Sequence, residues 1–120
     1  MAEQRDDHQY EIAQRRFILE LENGIRFANQ EIIHKEIPGL TTESILELAV
    51  AIARLRAQYL AAAFKLGSGE TEAPGDEIVA ALQRKRVAYE EARDAFQALR
   101  EAIEKGYVDL GLLKETAAPE

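Results

Sequence analysis

The chain is predicted to be all-α: an antiparallel bundle of three long helices that self-associates. Three observations carry this. Apolar residues recur at steps of three and four along three separate stretches, the period of one helix face. Those stretches are separated by Pro38-Gly39 and by a Gly/Ser/Pro-containing segment, and the last ends at Gly106. Alanine, glutamate, arginine and leucine, all strong helix formers, dominate the 120 residues, which hold only 3 prolines and 7 glycines.

The first helix is expected over about 7–36. Ile18, Leu21, Ile25, Ala28 and Ile32 form its main stripe. The stripe keeps its phase across Asn23-Gly24, so the helix is read as continuous, with a weak point costing about 1 kcal/mol relative to alanine. Ile12, Leu19 and Phe27 lie roughly opposite the main stripe. Scattered exposed apolar residues are ordinary. Three large ones at steps of seven and eight also suit a second seam, one that another copy of the chain would cover.

Ile37-Pro38-Gly39 ends this helix, because proline disfavours helical backbone in the residue before it. Thr41 is the expected N-cap of the second helix, over about 42–66, with Leu40 and Ile45 at staple spacing and Gly67 as the terminating residue. This helix has two apolar flanks. Ile45, Leu48, Ile52, Leu55 and Tyr59 form one; Leu46, Val50, Leu60 and Phe64 form the other. A helix between two neighbours needs both. Residues 67–75 read as a mobile loop, and Asp76 as the cap of a third helix over about 76–105. Its stripe is Ile78, Leu82, Tyr89, Ala92, Phe96, Leu99 and Ile103, with Lys85 at the missing position. All of residues 1–120 are expected to form a single helical domain.

Composition narrows function. Hydrophobic residues make up 47% and charged residues 31%, the balance of a soluble globular chain. A net charge of −7 argues against a nucleic-acid partner. The run Arg84-Lys85-Arg86 is the one basic concentration, and a solvated helix face accounts for it. No cysteine is present, which removes disulfides and thiolate chemistry and suits a cytoplasmic location. The most apolar stretch, Ile45–Phe64, carries Glu47, Arg54 and Arg56, so no membrane span is expected.

Arg56 is the residue that departs from the pattern. Glu47, Arg54, Gln58 and Lys65 share a solvent stripe, and Arg56 falls roughly opposite, beside Ala49, Ala53 and Ala63. It is expected to be a buried charge, paired with Glu20 or Glu22 of the first helix, or else to snorkel outward to solvent. A charge in that place could also bind the carboxylate of an apolar ligand carried inside the bundle.

Chemistry has little other material. The two histidines and two serines lack neighbours that would activate a nucleophile. Glu31-Ile32-Ile33-His34 resembles, over four residues, the Glu-x-x-His element of ferritin-like carboxylate proteins. That resemblance implies a metal site at Glu31 and His34 with Glu20, completed across a dimer, and an iron-handling or oxidase role. The favoured expectation is different: a non-enzymatic interaction module, without cofactor, forming a homodimer. It would hold a protein partner through an apolar groove or through the apolar tail at Val108, Leu110, Leu112 and Leu113, within a C-terminal segment 107–120; the other reading of that tail is a fold back over an open end of the bundle.

Overall fold

The computed structural model describes residues 2–68 and 73–114, with side chains described over 6–68 and 73–113. Four helices follow one another: α1 (Ala2–Glu36), α2 (Thr42–Gly67), α3 (Asp76–Glu104) and the single turn α4 (Leu110–Lys114). No strand occurs among the described residues. Three long helices are therefore the frame of the molecule, as the periodicity predicts. The expected loop tip at 69–72 and the end of the tail at 115–120 lie outside the described residues.

The α1–α2 junction forms as its sequence dictates. Leu40 N–H closes a turn on the Ile37 carbonyl at 3.0 Å. Thr41 then caps α2. Its Oγ1 accepts from Ser44 N–H at 2.9 Å, and Ser44 Oγ accepts from Thr41 N–H at 2.8 Å. This reciprocal box satisfies two backbone donors that the helix itself cannot. Leu40 and Ile45, before and after the box, meet in one apolar cluster.

Two other boundaries differ from expectation. Gly67 remains helical, and Ser68 ends α2 in right-handed geometry with its N–H on the Lys65 carbonyl. No left-handed residue is needed there, so glycine's freedom is unused. Gly75, not Asp76, is the N-cap of α3, and it offers no side-chain bond. Asp76 and Glu77 sit in the first turn, where their charge complements the helix dipole.

Gly106 does use its freedom. Its φ is +79°, and it ends α3 in a Schellman motif: Tyr107 N–H reaches back to the Ala102 carbonyl at 2.8 Å and Gly106 N–H to that of Ile103 at 3.0 Å. The reversal sends residues 107–113 back across the end of the helices. Among the described residues Val108 (3% exposed), Leu113 and Leu40 form the one cluster of buried residues, flanked by Ile33, Ile45, Leu99, Ala102 and Ile103. Every helix contributes to it.

Helix–helix contact is concentrated between α2 and α3. Ile52 is buried on the α2 side, and Tyr59 stacks on Tyr89 of α3 with ring centroids 6.0 Å apart. α1 touches the rest at its C-terminal turns and extends away from it. The molecule measures 83 × 50 × 17 Å, its least dimension little more than one helix diameter of about 10–12 Å.

Candidate functional site

The surface with most to explain is the one left uncovered. Residues 6–28 of α1 are exposed on every side, among them the eight large apolar residues Tyr10, Ile12, Phe17, Ile18, Leu19, Leu21, Ile25 and Phe27. Both the main stripe and the opposite seam at Ile12, Leu19 and Phe27 therefore face solvent in the single chain. Monomeric soluble proteins rarely leave contiguous apolar surface on this scale.

α2 carries a second uncovered strip. Its first flank is the side that meets α3: Ile52 is buried and Ile45, Leu55 and Tyr59 are half-buried, with Leu48 exposed at 37%. Its second flank does not meet α3: Leu46, Val50, Leu60 and Phe64 are all exposed, Phe64 at 79%. Ala53 and Ala57, also exposed, complete the row at steps of four and three. At about 100° per residue this row lies roughly opposite the α3-facing side.

Arg56 corrects the expectation of a buried charge. It is exposed, and no polar or charged residue is buried among the described residues. Because α1 does not lie along α2, neither Glu20 nor Glu22 is its partner. Arg56 instead reaches α3, where its Nε donates to Tyr89 Oη at 3.2 Å and its guanidinium lies 5.3 Å from the ring centre. Arg93 stands 5.5 Å from the same ring and bonds Asp94. The hydrogen bond from Arg56 holds the Tyr89 phenol below its ordinary range, since a nearby cation favours the phenolate. On the surface, Arg56 is not placed to hold a carboxylate inside the bundle.

Glu20 is not brought to the Glu31 and His34 pair. Glu20 precedes Glu31 by eleven residues on one continuous helix, about 16 Å along its axis. The Nε2 of His34 accepts the backbone N–H of Asp109 at 3.0 Å, so that nitrogen's lone pair is already used. Among the described residues no group of three or more His, Cys, Asp or Glu could hold one ion.

The tail is divided. Val108 and Leu113 belong to the chain's own core, as a fold back over the bundle end requires, which removes them from a docking peptide; Leu110 and Leu112 remain exposed, at 55% and 43%. Leu112 borders a shallow groove with Phe27, Gln30, Glu31, His34, Lys35 and Asp109. Two bonds hold its walls together: the one from Asp109 to His34, and Gln30 Nε2 to the Gly106 carbonyl at 2.7 Å. Sequence reasoning missed Gln30 entirely. Nothing in a helical glutamine signals that a carbonyl 76 positions later will accept from it.

No helix among the described residues is long and apolar enough to cross a membrane. Comparison with protein-family models, with curated proteins and with solved structures finds nothing that matches this chain.

Proposed function

We propose that the chain is a non-enzymatic helical assembly module. It self-associates through α1 and holds a protein partner on the apolar surface that remains, with the groove between Phe27 and Leu112 as the candidate position. The observation that carries this is α1 itself, whose apolar residues from Tyr10 to Phe27 are exposed on opposite sides of one helix. An amphipathic helix in a folded single chain covers one side and wets the other. Here neither side is covered, and a second copy covers both chains at once.

The test is Leu21→Glu combined with Ile25→Glu. Both side chains are exposed in the single chain, at 50% and 42%, so the charges cost little there. In an interface they would have to be desolvated. Sedimentation equilibrium is expected to find a dimer for the wild type and a folded monomer for the double variant. A wild type that stays monomeric at high micromolar concentration refutes the proposal.

A further inference from the structure

Two uncovered seams on this chain have the same spacing. On α1 the seam is Ile18, Leu21, Ile25, Ala28 and Ile32; on α2 it runs from Leu46 through Val50, Ala53 and Ala57 to Leu60. Each takes five positions at alternating steps of three and four across 15 residues, about 21 Å of helix. Resting on the self-association just argued, we propose that α1 of one copy lies antiparallel on the second flank of the partner's α2, and receives the same contact in return. Each three-helix bundle is then completed by a helix from the other chain.

The register follows from the two rows. Antiparallel alignment sets Ile32 opposite Leu46 at one end and Ile18 opposite Leu60 at the other. Between them the sizes alternate: Ile25 faces Ala53, and Leu21 faces Ala57. Large-against-small pairing lets two helices approach closely without voids. Charges agree with the same register. Glu22 beside the α1 seam comes level with Arg54 beside the α2 seam, and Gly24 on the other edge comes level with Arg56, leaving room for its side chain.

The chain's own α1 is prevented from making this contact. Its last turns are tied to the α3 end by Gln30 on the Gly106 carbonyl and by His34 on Asp109 N–H. Leu40, within the connection, is 7% exposed in the core beside Val108. The uncovered flank of α2 faces away from α3. Swinging α1 onto it would pull Ile33 and Leu40 out of that core. A second copy reaches both seams with the core intact.

The area suits a stable dimer. The two pairings cover Ile18, Leu21, Ile25, Ile32, Leu46 and Leu60 of each chain, all between 42% and 60% exposed, along with the smaller residues between them. At roughly 80 Å² for each large side chain, these alone remove about 1,000 Å². Backbone, alanines and flanking side chains bring the total into the range of about 1,200–2,000 Å² for standard interfaces.

The absence of cysteine makes the test direct. Ala28 and Val50 face each other in this register. One preparation carries Ala28→Cys and another, distinguishable in mass, carries Val50→Cys. The two are unfolded together, refolded and oxidised. The expected result is a disulfide-linked heterodimer. Ala28→Cys mixed with Ala61→Cys, whose position lies about 16 Å further along α2, is expected to give less than a tenth of that yield. A wild-type dimer in sedimentation without the 28–50 crosslink overturns the exchange and leaves self-association standing. A monomeric wild type overturns both. A single chain carrying both cysteines that closes within itself, as an oxidised monomer, overturns the exchange by showing α1 folded on its own α2.

Discussion

Leu40→Ala tests whether the end cluster is what joins α1 to the rest. Leu40 is 7% exposed and shares its cluster with only two other buried residues, Val108 and Leu113. Truncating a buried leucine to alanine costs about 2–5 kcal/mol, set by how far the cavity can close. A cluster this small at the end of a hairpin can relax or admit water, so the lower part of that range applies. Loss of the Leu40–Ile45 contact across the Thr41 cap adds to it. About 2.5 kcal/mol is the resulting expectation. With a urea dependence of about 2 kcal/mol/M, the midpoint falls by roughly 1.2 M. The comparison is Leu110→Ala, in the same tail segment but 55% exposed, which is expected to stay within about 0.5 kcal/mol. Both melts are run at one protein concentration, because association shifts apparent stability. Equal midpoints for the two variants would mean that the cluster does not hold the end of the molecule together.

Two other substitutions probe single features. Gly106→Ala places a side chain at φ +79°, with the new Cβ 3.0 Å from Cδ of Arg26. The arginine can move, so the backbone term remains, about 1 kcal/mol in denaturant melts; an unchanged midpoint refutes the left-handed geometry. Arg56→Met is read by alkaline titration of tyrosine absorbance. The Arg56 hydrogen bond lowers the Tyr89 value below 10.0, so wild type should begin to ionise at lower pH than the variant. The sign confines any effect on stability to alkaline pH. The contribution is present above the unfolded tyrosine value and lost as pH falls through the lowered folded one. Superimposed titration curves would remove Arg56 as the cause.

Local chemistry was the most legible part of the fold. Thr41 with Ser44, the Leu40–Ile45 pair and the glycine at 106 each act within a few residues of themselves, so spacing alone identifies them. Helical phase was equally legible, because it is a property of one segment. Which face another element covers is not. α2 has two apolar flanks, and periodicity gives no ground for choosing the one that meets α3. The misreading of Arg56 came from there: its neighbours in phase were right, but the helix expected over them lies elsewhere. For the tail, composition left a fold back over the bundle end and a docking peptide both open, and the fold assigns Val108 and Leu113 to the first. Gln30 and its acceptor are so far apart in sequence that only the fold relates them.

The core that fixes the direction of α1 draws on Ile33, Leu40, Leu99, Val108 and Leu113. It therefore cannot close during synthesis until residues 106–113 have left the ribosome, long after α1 itself has emerged. Domains generally begin to fold from the N-terminal side as they appear. Here the earliest helix waits for the latest described one. Throughout that interval α1 is not yet tied to the end of α3.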